Sequence, residues 1–182
     1  MKESQTFFHG MGRLTEYAIL DLRNKSHAIT AQVTVQDAGA NGVVVAQSGP
    51  LGGFRLCIRN GRPTYQYDLL GLHRFVIRGE RAIPSGKHEV RIELRYDGGG
   101  VGKGAGVSIF IDDEKVGEGR VGQTQAFALA TDDTLDIGYD ASTSEVFSGT
   151  VHWVKLETEG ADVEPEHVVT SERRPRVAGA QA

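Results

Sequence analysis

The sequence lacks the means for internal covalent cross-linking, and it has no long hydrophobic run. It contains a single cysteine, Cys57, so no disulfide can form within the chain. Residues 1–6 have no apolar core of the kind that a signal peptide requires. No apolar run approaches the length of a membrane span. These absences predict a cytoplasmic protein without a membrane partner.

The chain also lacks a strong charge of either sign. Its 182 residues carry a formal net charge of −4, which gives no electrostatic reason to expect nucleic acid as a partner. Hydrophobic residues make up 39% and charged residues 24%, a balance typical of a globular chain. The length fits one domain with one core.

Long amphipathic helical patterns are missing, and alternation with a period of two takes their place. Residues 86–121 show it most clearly, because every second residue from Val90 to Tyr96 and from Val107 to Ile111 is apolar. Further predicted strands cover 29–35, 54–58, 64–69, 74–77, 126–130, 135–138 and 147–156, and the run 43–46 is apolar on both faces, as in a central strand. Asn60-Gly61 is a strong signal for a tight hairpin. The pattern predicts an all-β fold, a two-sheet antiparallel β-sandwich.

Composition divides the chain into three parts. Residues 1–26 are predicted to be a lead-in with a candidate edge strand at 6–9, and residues 27–156 form the sandwich domain. Residues 157–182 are charged, contain Pro165 and Pro175 and end in small residues, so we expect a disordered tail.

Several landmarks resemble the laminin-G-like, or concanavalin-A-like, jelly roll. They are Tyr96-Asp97-Gly98, the strand 108–112, Leu135-Asp136-Ile137-Gly138 and the F-x-G-x-V pattern of 147–151. Segments 24–31, 42–47, 52–56, 65–71 and the glycine-rich 96–104 are similar to the C-terminal domain of long bacterial arylsulfatases. That resemblance spans about residues 6 to 156. Residues 140–146 depart from it, because the acidic loop of the family looks shorter here.

The resemblance implies a non-catalytic accessory module of a sulfatase, with a sulfatase catalytic domain or a glycan as its partner. A sulfatase needs a C/S-x-P-x-R motif. Counting from Cys57, the proline position holds Arg59 and the arginine position holds Gly61, so the motif is absent. Ser48-Gly-Pro50 has the proline but ends in glycine. We therefore expect no sulfate-ester hydrolysis from this chain alone. An apolar patch that includes Phe7, Phe8 or Trp153 would suit docking on a catalytic domain.

Two other functions are open from the residues. A stand-alone lectin would bind sugars without a partner. A jelly-roll glycoside hydrolase would use closely spaced carboxylates, and Glu89 and Glu93 share one strand face. Arg91 lies between them, which favours a salt-bridged surface over a general acid. The glycine loop 98–106 resembles a phosphate-binding loop, but a strand rather than a helix follows it, so nucleotide binding is disfavoured.

The candidate site residues fall into two sets. Tyr65, Tyr67 and Trp153 could stack on sugar rings, or they could pack at a domain interface or in the core, as aromatics on sandwich strands more often do. Arg91 completes the candidate ligand-binding set. Asp136 and Asp140, with Asp132 and Asp133, form a local acidic cluster of the kind that binds calcium in lectins. The residues favour a solvated turn over a calcium site, because no fixed ligand spacing is present. Apart from calcium, the sequence predicts no cofactor.

Overall fold

The computed structural model describes residues 2–11, 13–49, 52–127 and 134–159. The strands within these ranges are β1 Glu3–Phe8, β2 Leu14–Thr15, β3 His27–Val35, β4 Gly42–Gly49, β5 Gly52–Arg59, β6 Arg62–Leu69, β7 His73–Arg78, β8 Gly86–Tyr96, β9 Ala105–Ile111, β10 Glu114–Val121, β11 Thr134–Ile137, β12 Tyr139–Asp140, β13 Glu145–Val146 and β14 Thr150–Thr158. One turn of 3-10 helix, Glu16–Ala18, follows β2. No helix in the described ranges has the length and apolar composition needed to cross a membrane.

The strands form two six-stranded antiparallel sheets. Sheet I has the order β1-β14-β3-β8-β9-β10, and sheet II has the order β2-β11-β4-β5-β6-β7. The short hairpin β12–β13 lies beside β4. The two-sheet antiparallel β-sandwich predicted from the alternating pattern is confirmed.

The core lies between the two sheets and contains the apolar residue of each alternating pair. On β8, Val90, Ile92 and Leu94 are buried while the charged residues between them face outward. Sheet II contributes Phe54, Leu56, Ile58 and Tyr65, among others, from its inner face. This division leaves each sheet with one outer face on which polar side chains can act.

The hairpin between β5 and β6 shows why the Asn60-Gly61 signal is strong. Both residues have positive φ angles, 50° for Asn60 and 75° for Gly61. A two-residue turn with both φ angles positive matches the right-handed twist of the strands that it joins. This turn fixes the register in which Leu56 faces Tyr65.

The ends of the sandwich differ in detail from the predicted divisions. The lead-in supplies β1, which pairs with β14 at the edge of sheet I. β14 continues through Thr158, past the expected boundary at 156. Residues 126 and 127 are not in a strand, and the rest of the strand expected at 126–130 lies outside the described residues, as do Asp132, Asp133 and residues 160–182.

Candidate ligand-binding groove

The outer face of sheet I carries a concavity of about 820 Å³. Its centre runs along β9, where the outward residues Gly106 and Ser108 are small. The strands on either side present longer side chains. We call this region the β9 groove and define it by Gly106 and Ser108, with Glu93 and Arg95 from β8 and Glu118 and Arg120 from β10.

Strand register arranges these six residues in two rows. Arg95, Gly106 and Arg120 are direct cross-strand neighbours. Glu93, Ser108 and Glu118 form the next row. Adjacent rows on one face of a sheet lie about 7 Å apart along the strand, because successive residues alternate between faces. The groove therefore has a basic row and an acidic row a sugar ring's width apart.

Phe110 and Arg91 close the acidic end of the groove. The Arg91 guanidinium carbon lies 4.4 Å from the centroid of the Phe110 ring, a cation–π contact. Arg91 also donates from Nε to Glu93 at 2.9 Å and from Nη1 to Asp113. The ion pair between Arg91 and Glu93 agrees with the salt-bridged surface that the sequence favoured. Arg91, a predicted ligand-binding residue, thus lines the concavity while holding three neighbours.

Trp153 lies on the same outer face, at the far edge of sheet I. Its cross-strand neighbours are Phe8 on β1 and Gln32 on β3, and Gln32 in turn faces Glu89 on β8. Trp153 is half-buried and Phe8 is 56% exposed. The predicted residues Trp153 and Arg91 therefore share a face but stand two strands apart. Trp153 and Phe8 form an aromatic edge patch outside the β9 groove.

Tyr65 and Tyr67 are elsewhere, in the core between the sheets. Tyr65 is completely buried and stacks near Phe54, with ring centroids 6.4 Å apart. The buried Tyr67 hydroxyl accepts a hydrogen bond from the Gln125 backbone amide at 2.9 Å. Neither ring is available to stack on a sugar, because β6 points both residues inward. The sequence-based assignment of these two tyrosines to a binding surface is corrected accordingly.

Asp140, a predicted calcium ligand, instead joins an ion network on the outer face of sheet II. Arg55 donates from Nε to Asp140 at 2.5 Å and from Nη1 to Asp68 at 2.9 Å. Arg74 approaches the other oxygen of Asp68 at 2.6 Å. The burial of Asp140 raises its pKa, but hydrogen bonds from Arg55 and Ser142 outweigh burial and hold the pKa below the ordinary value. The position that a cation would need is occupied by a guanidinium.

Asp136 is also buried, and its oxygens accept hydrogen bonds from the Thr134 hydroxyl at 3.1 Å and from the Ala141 amide at 2.8 Å. Among the described residues, no group of three or more histidine, cysteine, aspartate or glutamate side chains is placed to hold a metal ion. The arrangement of Asp136 and Asp140 therefore gives no support to the predicted calcium site.

A small apolar layer lies beneath the β12–β13 hairpin. Arg55, Cys57 and Arg59 alternate on the outer face of β5, and the two arginines bind Asp140 and Glu145 of the hairpin strands. Cys57 lies between them and packs with Val43 and Ala46, all three fully or nearly fully buried. Burial raises the pKa of the Cys57 thiol to about 11. The thiol is therefore protonated and shielded at neutral pH.

His27 begins β3 and lies at one end of the core. Its Nδ1 is 3.1 Å from the Lys25 carbonyl oxygen, so Nδ1 carries the proton and donates. Its Nε2 and the Tyr65 hydroxyl have no protein partner, and both residues line a cavity of about 10 Å³ between the sheets. Burial, aided by the positive charge of Lys25, outweighs the hydrogen bond to the Lys25 carbonyl and lowers the pKa of His27 to about 4.

We expect the burial of neutral His27 to make the fold acid-sensitive. Its pKa rises from about 4 in the folded chain to the ordinary 6.5 on unfolding, so the unfolded state binds more protons between these values. Stability is full above pH 6.5 and falls as the pH drops toward 4. Urea unfolding should show a loss of about 2–3 kcal/mol between pH 7 and pH 4.5.

The His27→Asn variant is the matched control, because its amide nitrogen can still donate to the Lys25 carbonyl oxygen but does not titrate. The free-energy difference between the native chain and this variant should therefore shrink as the pH falls. A difference that stays constant from pH 7 to pH 4.5 would show that His27 does not cause the acid sensitivity.

Sequence reasoning found one member of the concavity, Arg91, and missed the rest of the site. Glu93 was considered as a hydrolase carboxylate and Gly106 only as the end of a glycine loop, while Arg95, Ser108, Glu118 and Arg120 were given no binding role. The available signal was the alternation of residues 105–111, which already places Gly106, Ser108 and Phe110 on the polar face. The register of β9 against β8 and β10, which creates the two rows, has no local signature.

Comparison with known proteins adds a shared architecture. No family model matches the chain, and no curated protein matches it. The CBM40 module of the Ruminococcus gnavus IT-sialidase, solved bound to α2,3 sialyllactose, has 13% identity and a TM-score of 0.53. The match covers 86% of this chain and 90% of that chain. A second structure of this module has 13% identity, the same coverage and a TM-score of 0.50.

A mutant of HCR/D has 11% identity and a TM-score of 0.51 over 86% of this chain, but the match spans only 43% of that chain. At these identities the likenesses show a common β-sandwich fold. The structures named here are not arylsulfatase domains, so the sulfatase resemblance stays a prediction.

Proposed function

We propose that the chain is a glycan-binding β-sandwich that holds its ligand in the β9 groove. The observation that carries this proposal is the open path over Gly106 and Ser108 between two walls of charged side chains. Carboxylates such as Glu93 and Glu118 accept hydrogen bonds from sugar hydroxyls, while guanidinium groups donate them. The groove therefore offers both kinds of partner that a polyhydroxylated ligand needs.

The similarity to a sandwich solved with sialyllactose supports the proposal at the level of the scaffold. The proposal includes no bond-breaking step, because both carboxylates beside Ser108 are paired with cations, Glu93 with Arg91 at 2.9 Å and Glu118 with Lys115. A carboxylate held by an arginine is stabilised in its ionised form and is a poor general acid.

The test is a glycan array probed with the native chain and with Ser108→Leu. The added leucine projects from the floor of the groove, so we expect at least about a 10-fold loss of binding for every glycan that the native chain retains. Val76→Leu is the control, because it adds bulk at an exposed position on the outer face of sheet II. Its array profile should match that of the native chain.

Two outcomes would count against the proposal. If the native chain bound none of the glycans on the array, the proposed glycan-binding function would be rejected. Equal binding by Ser108→Leu and the native chain would move the site away from the β9 groove. Thermal unfolding of each variant should be measured alongside, so that a folding defect is not taken for a binding defect.

The sulfatase-accessory role predicted from the sequence is compatible with this site. The aromatic edge patch of Phe8 and Trp153 lies outside the β9 groove, at the edge of sheet I, and its exposed apolar surface would suit contact with a neighbouring domain. A module of this kind would use the edge patch for its partner and the groove for its glycan.

A further inference from the structure

We infer that the Gly106 end of the β9 groove is an anion subsite, in which Arg95 and Arg120 bind the carboxylate or sulfate group of an acidic sugar. This inference rests on the proposed function and narrows it, because it names the class of glycan and the direction in which the glycan lies. Three observations support it: the strand register around Gly106, the unpaired N–H groups of Arg95 and Arg120, and the lack of a steric or backbone need for glycine at position 106.

Register places the two arginines on opposite sides of one residue. Arg95 on β8 and Arg120 on β10 both face Gly106 on β9. Strands two apart in a sheet are separated by about 10 Å, so an oxyanion above Gly106 lies within reach of both side chains. Both arginines are exposed and project from the outer face.

Donors remain available on both side chains. The Arg95 side chain forms no hydrogen bond or ion pair with another described residue, whereas its backbone belongs to the ladder between β8 and β9. Arg120 uses Nη2 and Nη1 to hold Asp97, at 2.5 and 3.3 Å. A guanidinium has five N–H groups, so most of the donors on Arg120 are still free. Two guanidinium charges against one carboxylate leave this row with a net positive charge.

Gly106 has neither of the usual reasons to be glycine. Its φ angle is outside the left-handed region, and a Cβ added there would meet no atom within 4 Å. Gly119 on β10 shows the contrast, because its Cβ would lie 2.7 Å from Ile77 Cγ1. A strand glycine that relieves no clash weakens the strand unless something approaches it closely. At Gly106 the missing side chain keeps the space between the two arginines open.

The acidic row gives the ligand a direction. Glu93 and Glu118 are one row away from the arginines, on either side of Ser108. Each is paired with a cation, Glu93 with Arg91 and Glu118 with Lys115, so this row has no net positive charge to attract an anionic group. The remaining lone pairs of the two carboxylates can accept hydrogen bonds from neutral hydroxyls. The acidic group of the sugar therefore lies over Gly106, and the hydroxyl-bearing remainder lies over Ser108.

The first experiment compares 3′-sialyllactose, 3′-sulfated lactose and lactose by calorimetry. The two acidic sugars should bind the native chain at least about 10-fold more tightly than lactose, and the tighter of the two identifies the anion as carboxylate or sulfate. Arg95→Gln should weaken binding of the acidic sugars by about 10- to 100-fold and leave lactose unchanged. Arg78→Gln, which removes an exposed arginine from sheet II, should change none of the affinities.

The second variant fills the subsite without removing a charge. Gly106→Val adds a side chain suited to a strand, and we expect it to abolish the preference for acidic sugars while the unfolding temperature stays the same or rises. Retained preference in Gly106→Val, or an equal effect of Arg95→Gln on all three sugars, would overturn the subsite.

Failure of the subsite and failure of the proposed function give different results. Equal binding of all three sugars by the native chain would leave the function intact and reject the anion subsite. If no sugar binds, the proposed glycan function is rejected. The anion subsite is then tested by comparing the NMR spectrum of the native chain in sodium sulfate with its spectrum in sodium chloride at equal ionic strength. If sulfate shifts the Nε–H NMR signals of Arg95 and Arg120 in the native chain but not in Gly106→Val, the anion site is supported. If sulfate causes no shift in the native chain, the anion site is rejected.

Discussion

Replacing Arg55 with methionine is expected to lower the free energy of unfolding by about 3–5 kcal/mol. The change leaves two carboxylates without their main cation in a buried setting. Asp140 is almost completely buried, and Asp68 keeps Arg74 and Gln66 as side-chain partners. An uncompensated buried charge costs far more than the pair itself contributes, so the loss should be large even though methionine fits the space.

The matched control is Arg91→Met, which removes an arginine with two ion pairs on the outer face of sheet I. Its partners Glu93 and Asp113 are substantially exposed, so we expect a loss of no more than about 1 kcal/mol. Urea unfolding of both variants measures the contrast. The double variant Arg55→Met/Asp140→Asn should recover part of the stability, because it removes the stranded charge.

The pH dependence of this effect has a definite sign. In the native chain the pKa of Asp140 lies below its ordinary value of 3.8, so the stabilisation is complete above that pH and is lost as the pH falls further. In Arg55→Met the hydrogen bonds from Ser142 remain but the guanidinium is gone, so burial raises the pKa of the carboxyl above its value in the native chain. The stability gap between the two chains should therefore narrow under acid conditions. Equal stabilities at pH 7 would show that the network contributes nothing.

Gly53→Ala is expected to destabilise the chain by at least about 4 kcal/mol, or to prevent folding altogether. Gly53 has a φ of +124°, and a Cβ there would lie 2.0 Å from the Gln47 carbonyl oxygen. The same Cβ would be 2.7 Å from the Cα of Ser48. Both atoms belong to the backbone of β4, so β4 and β5 would have to separate at the centre of sheet II.

Gly106→Ala provides the opposite case on sheet I. With an ordinary φ angle and open space around the new Cβ, it should leave stability unchanged or raise it by about 0.5–1 kcal/mol. Soluble yield and urea unfolding distinguish the two variants. Similar effects of both substitutions would mean that neither backbone contact nor φ decides where this fold requires glycine.

The strands were predictable where one face is buried and the other is wet. β3, β8 and β9 alternate cleanly, and the Asn60-Gly61 turn joins β5 to β6 as expected. Alternation also placed Tyr65 and Tyr67 correctly on a common face. It could not say whether that face pointed inward, because a period of two is the same for a core face and for a binding face.

The site was less predictable because it depends on pairs that are distant along the chain. Arg55 and Asp140 are 85 residues apart, and no local pattern connects them. Asp140 therefore resembled a loop carboxylate free to bind calcium. In the same way, Arg95 and Arg120 become neighbours of Gly106 only through the pairing of three strands. The sequence shows which residue types are present, but it does not show which of these distant residues become neighbours in the fold.

The position of Cys57 allows the rate of local opening to be measured by thiol labelling. The thiol is completely buried between Arg55 and Arg59, which bind the β12–β13 hairpin, and it belongs to the small apolar layer outside sheet II, not to the main core. A thiol reagent must wait until the hairpin lifts or the whole sandwich unfolds. The rate at which Cys57 is labelled therefore reports how often either opening occurs. Lifting of the hairpin exposes little surface and should depend weakly on urea, whereas global unfolding exposes the core and should depend strongly on it.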